Sequence, residues 1–218
     1  MKELAFGIVD AQRGFMPKAE GEILDRAGFG ELPVADGQRI IPVVKRLLVA
    51  AGSDNVFTTQ DWHPHETAHF SDNPDFVTNW PVHCVQNTAG AALHPDLESA
   101  LMPSVTRFYK GQEKLEHGRD DLSYSGYYSK DSESVTLPDW LAERGTTHVV
   151  LGGLALDYCV GKTALDLRAK LGLEVTVVLD ATRGIADAST EAMLEAFADA
   201  GIRTAQSAEL IKDWKDAS

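Results

Sequence analysis

Short runs of apolar and β-branched residues recur along the chain, at 4–9 (LAFGIV), 55–60 (NVFTTQ), 105–109 (VTRFY), 148–151 (HVVL), 175–179 (VTVVL) and 203–205 (RTA). Segments with helical spacing of their apolar positions lie between them, at 37–51, 138–144, 158–170 and 190–200. Strands that alternate with helices predict a mostly parallel central sheet covered on both faces, a three-layer α/β/α architecture. The punctuation agrees: Pro138 stands near a helix start, and Gly52, Gly145, Gly172 and Gly201 follow helices where a left-handed cap is wanted. The stretch 63–103, rich in histidine, proline and asparagine, has no strong period and reads as one long functional excursion. No repeat or linker interrupts the pattern, so residues 1–218 are read as a single domain.

Composition narrows the partners. With 44% hydrophobic residues in 218, the chain can bury a sizeable core. Thirty-three acidic against twenty basic side chains give a formal charge of -13, which argues against nucleic acid and anionic membranes and favours a small molecule. No stretch approaches the roughly 20 apolar residues that span a bilayer, and the apolar run before Asp10 is too short for a secretory signal. Two cysteines, Cys84 and Cys159, do not make a disulfide scaffold, and a reducing cytoplasm is the expected location.

In an open parallel sheet, ligands bind beyond the carboxyl ends of the strands. Asp10, Asp61 and Lys110 follow the first three strand patterns, and Cys159 follows the turn after the fourth. Cys159 stands near a predicted helix start, where unpaired N–H groups favour thiolate over thiol. A cysteine nucleophile needs a proton acceptor and a means of holding negative charge. Asp10 can accept the thiol proton, and Lys110 can stabilise the thiolate and orient the carboxylate. Backbone N–H groups in the turn 154–159, after Gly152-Gly153, can form an oxyanion hole.

A second constellation lies in DWHPHETAHF and WPVHC, where Asp61, His63, His69 and His83 offer one carboxylate and three imidazoles. That set suits one divalent metal ion, Zn²⁺ first, with Fe²⁺ or Mn²⁺ as alternatives. His65-Glu66-Thr67-Ala68-His69 also fits the HExxH zinc-protease helix, but Pro64 and Pro74 leave room for little more than two turns. Gly161-Lys162-Thr163 imitates the end of a phosphate-binding loop, yet Leu156 occupies the place of its first glycine.

Taken in order, IVDAQRGF, QDWHP, WPVHCVQNTAGAALHPDL, FYKG, DDLSYSGYY, GLALDYCV and LDATRG make the chain resemble the nicotinamidase/pyrazinamidase branch of the isochorismatase-like cysteine hydrolases. The resemblance implies that Asp10, Lys110 and Cys159 form a catalytic triad and that Asp61, His63 and His83 bind metal, with His69 a further ligand. It also implies a cis bond between Leu154 and Ala155, with the N–H groups of Ala155 and Cys159 forming the oxyanion hole. Phe15 and Trp80 would sandwich the substrate ring, with Leu156 and Tyr158 beside them as substrate-binding residues. The implied reaction turns nicotinamide, or pyrazinamide, into the acid and ammonia through a thioester on Cys159. A sibling hydrolase of another small amide is the alternative, with the zinc protease behind it. Three features depart from the family pattern: the long segment 17–33, which points to an altered lid or to a homo-oligomer contact; Leu156 in place of threonine; and Arg13-Gly14 in place of a polar-acidic pair.

Overall fold

The computed structural model describes residues 3–18, 27–52, 55–113 and 121–216. Six strands, β1 (Leu4–Val9), β2 (Val56–Asp61), β3 (Thr106–Lys110), β4 (His148–Leu154), β5 (Glu174–Arg183) and β6 (Arg203–Ala205), form one sheet. Their order is β3-β2-β1-β4-β5-β6, and every pairing is parallel. The predicted α/β/α sheet is therefore present. Because the chain winds outward from β1 to β3 and then returns to place β4 on the other side of β1, the strand order reverses between β1 and β4. A crevice opens at the carboxyl ends of strands at such a switch point.

Alternation along β1 divides the core. Phe6 and Ile8 project to one face, where α1 (Ile40–Ala51) contributes Val44 and Leu47 and α7 (Ser207–Asp216) contributes Leu210 and Trp214. Ala5 and Val9 project to the other, under α4 (Leu137–Glu143), α5 (Gly161–Leu171) and α6 (Asp187–Ala200), with Phe57, Phe108, Trp140, Leu167 and Phe197. Both faces are covered, which is why β2 is buried along its whole length. Two short helices, α2 (Pro95–Glu98) and α3 (Asp121–Tyr124), sit in the connections. The excursion 63–103 is tied down by isolated bridges, Gln12 to Leu93, His63 to Val85 and Phe70 to Trp80.

The boundaries depart from the sequence pattern in three informative places. Strand β4 continues past the expected end at 151 through Gly152 and Gly153, with a register shift against β5. The helix expected from 158 begins at Gly161, preceded by a wider turn, Leu156–Val160, in which the Val160 N–H donates to the Ala155 carbonyl at 3.0 Å. Helix α7 was not anticipated, although Leu210 and Trp214 stand one turn apart and Ser207 opens it. The Ser207 N–H and hydroxyl donate to the two oxygens of Asp180, at 2.8 and 2.5 Å. Gly172 and Gly201 do close α5 and α6 in the left-handed conformation, at φ 68° and 67°. Among the described residues no helix is long and apolar enough to cross a membrane.

Trp214, 6% exposed, fastens the last helix to α1 and the sheet. Trp214→Ala is expected to lower stability by about 3–5 kcal/mol, measured by urea unfolding. A loss under 1 kcal/mol would show that α7 is dispensable to the core.

Candidate active site

Parallel pairing brings the strand ends to one rim. Asp61 and Lys110 are register partners on β2 and β3, and Asp10 follows β1 next door. Asp10 turns the chain sharply, at φ 47°, while its N–H donates to the Thr59 carbonyl at 3.0 Å and its Oδ1 accepts the Thr59 hydroxyl at 2.9 Å. The carboxylate is thus aimed from both ends. Lys110, 1% exposed, reaches across the rim: its Nζ lies 2.8 Å from Asp10 Oδ2, 3.3 Å from Cys159 Sγ and 3.1 Å from the Ser123 carbonyl, and it also pairs with Asp61 Oδ1.

The electrostatics follow from burial. Removal from water pushes the Asp10 carboxyl up to about 6, opposed by the Lys110 ammonium and assisted by the charge of Asp61. Burial works against the Asp61 charge too, but Lys110 and then His63 outweigh it and hold that carboxyl well below the usual range. Lys110 stays charged for the reciprocal reason: burial opposes it, and the Asp10 and Asp61 carboxylates raise it well above the ordinary amine value. Burial pushes the Cys159 thiol up, only partly offset by Lys110. This corrects the expectation of a helix-activated thiolate. The regular helix starts two residues beyond the cysteine, and the buried surroundings dominate.

Cys159 is carried by the wide turn after β4, and the Leu154–Ala155 bond that opens this turn is cis, as the resemblance implies. Its Sγ and one oxygen each of Asp10 and Asp61 lie within 4.8 Å of one another. The turn is braced from outside by Asp157, whose carboxylate accepts the Ile185 N–H at 3.0 Å, the Ala186 N–H at 3.2 Å and the Ser189 hydroxyl at 2.6 Å.

Beside this group, ring nitrogens of His63, His69 and His83, all buried, lie within 4.8 Å of one another. Asp61 Oδ2 is 3.6 Å from His63 Nε2 and 3.9 Å from His83 Nε2. The Pro81 carbonyl, 2.7 Å from His83 Nδ1, accepts a hydrogen bond from the Nδ1–H, which leaves the lone pair on Nε2. Both nitrogens of His63 and Nδ1 of His69 are buried with no hydrogen-bond partner among the described residues. Burial, followed by the neighbouring imidazoles, depresses His69 to about 2 and His83 to about 4. Buried imidazole nitrogens, converging with a carboxylate, fit a divalent cation.

A cavity of about 330 Å³ opens over Cys159, Asp61, His69 and His83. Phe15, Trp80 and Tyr158 line it as expected, and Ala155 reaches it from the cis bond. Leu156 does not line it, which corrects its assignment as a substrate-binding residue. In the wide turn its side chain packs into the core beneath α5 and α6 with Val160 and Met193. Several wall residues were not anticipated: Glu31, Leu32, Phe76, Tyr124 and Ile185. Tyr124 accepts the Trp80 indole N–H at 2.8 Å and donates to the Val77 carbonyl at 3.3 Å. The Tyr158 hydroxyl donates to the Phe76 carbonyl at 3.4 Å. The DDLSYSGYY motif was the available signal for Tyr124.

The long segment contributes a wall as well. Glu31 accepts the Cys84 N–H at 2.8 Å, and Leu32 and Val34 donate to the carbonyls of Gly14 and Phe15, each at 2.9 Å. Residues 19–26 lie outside the described residues. The HExxH reading fails on geometry: 65–69 is not helical, His65 and Glu66 are exposed, and only His69 of the motif is buried and faces the cluster.

With this geometry in place, comparison with known proteins is direct. The Isochorismatase domain family matches residues 124–209. Fold and rim together define an isochorismatase-like hydrolase. A nicotinamidase/pyrazinamidase of Mycobacterium tuberculosis is 35% identical over 196 residues, covering 89% of this chain and 94% of its own. The structure of an Acinetobacter baumanii nicotinamidase pyrazinamidase superposes with a TM-score of 0.76 at 30% identity, over 96% of this chain and 99% of its own. That of a Pyrococcus horikoshii pyrazinamidase in complex with zinc gives 0.72 at 33% identity, over 94% and 99%. The chain belongs to the nicotinamidase/pyrazinamidase family.

Gly111, at φ 63°, lets the chain pass directly under the His63 ring. A Cβ added there would stand 2.5 Å from the ring's Cε1. Gly111→Ala is expected to displace His63 and weaken metal retention by about tenfold or more, measured as bound metal per chain after dialysis against a weak chelator. Unchanged retention would remove His63 from the ligand set.

Proposed function

We propose that this chain is a metal-dependent amidase that hydrolyses nicotinamide, and the related pyrazinamide, to the carboxylic acid and ammonia. The observation that carries the reading is the Lys110 ammonium, which contacts a carboxylate and a cysteine sulfur at the floor of an aromatic cavity walled on one side by histidines. The relatives named above, nicotinamidases and a zinc-bound pyrazinamidase, support the choice of substrate and of zinc.

The chain's own groups suffice for a balanced sequence. Asp10 takes the proton from the Cys159 thiol as the sulfur attacks the carboxamide carbon, and Lys110 offsets the charge that appears on sulfur. The N–H groups of Ala155 and Cys159 receive the oxyanion. Asp10 returns the proton to the leaving nitrogen, so ammonia departs and a thioester remains. Water then adds to the thioester, again giving its proton to Asp10. Collapse breaks the carbon–sulfur bond, releases the acid and restores the thiol. An Asp10 carboxyl held near 6 suits both directions of that transfer. Phe15 and Trp80 present apolar surfaces for a flat ring, and Tyr158 closes the wall behind Trp80 at a ring separation of 5.1 Å. Asp61, His63, His69 and His83 would hold the divalent cation, which when bound supplies a Lewis acid for a heteroaromatic nitrogen or a water on it.

Cys159→Ala is expected to lower ammonia release from nicotinamide by about three orders of magnitude or more, measured in a coupled assay. Retention of a tenth of the wild-type rate would refute a thioester route. Removal of metal with a strong chelator is expected to abolish turnover, and stoichiometric Zn²⁺ to restore it. Full activity in protein shown by elemental analysis to be metal-free would reject the metal assignment.

A further inference from the structure

Successive residues on a strand face opposite ways. While Asp61 faces the catalytic cavity, Gln60 and Trp62 face a second cavity of about 490 Å³, lined also by Arg13, Arg107, Tyr109 and Glu98. Three features of this cavity are chemically unfinished. Gln60 is 3% exposed; its amide nitrogen donates to the Ala91 carbonyl at 2.9 Å, but its Oε1 has no donor. The Arg13 Nε is buried without an acceptor, and among the described residues the Arg13 side chain forms no hydrogen bond or ion pair, only a contact over the Phe29 ring at 5.8 Å. Trp62 and Tyr109 form an aromatic pair, their centroids 4.9 Å apart.

Charge sharpens the picture. Arg107 is committed to Glu98 through two hydrogen bonds, at 3.1 and 2.7 Å, so among the described residues Arg13 leaves the cavity with one uncompensated positive charge. The chain as a whole has a formal charge of -13, so the recess carries the opposite sign to the net charge. Arg13 is also one of the two residues that depart from the family pattern after Gln12, and the proposed hydrolysis gives it no task. Trp62 meets the reacting residues through its backbone, its N–H donating to the Lys110 carbonyl at 2.9 Å.

We infer that this cavity is a second binding site, for a planar aromatic anion that also carries an N–H donor, the class represented by the aminopurine nucleotides. The ligand's oxyanion meets the Arg13 guanidinium, which suits phosphate and carboxylate oxygens. Its N–H donates to Gln60 Oε1, completing a buried amide that otherwise lacks one bond. Its ring lies against the Trp62 and Tyr109 surfaces. A bare oxyanion satisfies only the first of these groups, and a neutral nucleoside only the last two.

The test is isothermal titration calorimetry of AMP into the full-length protein at low ionic strength. Saturable binding of one AMP per chain is expected, weakened at least tenfold by Arg13→Ala and partly restored by Arg13→Lys. Adenosine, lacking the oxyanion, and inorganic phosphate, lacking the ring and the N–H donor, are each expected to bind at least tenfold more weakly than AMP to the unaltered protein. The two ligand comparisons need no variant. Absence of saturable AMP binding, equal binding of AMP and adenosine, or AMP affinity unchanged in Arg13→Ala would overturn the assignment.

Discussion

The molecule is organised around one buried ammonium. Lys110 is removed from water, where an isolated charge is costly, and stays charged because Asp10 and Asp61 surround it. Each carboxylate is in turn divided in its loyalties. Asp10 faces Lys110 with one oxygen and Thr59 with the other, whereas Asp61 gives one oxygen to Lys110 and turns the second toward His63 and His83. Asp61 is therefore shared between two clusters, Lys110 with Asp10 and Cys159 on one side and the buried histidines on the other. Loss of the lysine would leave two carboxylates in mutual repulsion in a dry site, so the fold of the rim and its reactivity share one cause.

That constraint needs the sheet. Only parallel strands in the order β3-β2-β1 bring the ends of three separate segments to one level, and only the return to β4 sets the cysteine opposite them. Gln12 secures the level further: its side chain grips the Asp61 backbone with two hydrogen bonds of 2.8 Å, one to the N–H and one to the carbonyl. The apolar runs that make the strands and the polar residues that end them are thus parts of one arrangement.

This explains what could be read from sequence. Strand positions and polar strand ends are local patterns, so Asp10, Asp61, Lys110 and the histidine cluster were all visible. The wall residues were not, because Glu31, Phe76 and Ile185 sit on loops whose approach to the cavity is decided by tertiary packing. Leu156 was misplaced for a geometric reason. The resemblance sets it beside Ala155 and Tyr158, which do line the cavity, but the wide turn aims Leu156 into the core instead. The thiol's state was misjudged because proximity to a helix start was weighed without the burial that a sheet covered on both faces imposes.

The Asp157 carboxylate carries a consequence for traffic through the cavity. By holding the backbone of Ile185 and Ala186 to the turn that bears Cys159, it fuses that side of the mouth to the turn. On the opposite bank the Phe76 and Val77 carbonyls accept from the Tyr158 and Tyr124 hydroxyls, and because Tyr158 belongs to the same turn as Cys159, that bank too is fastened to the cysteine's turn. The chain has built a doorway whose two jambs hang from one post.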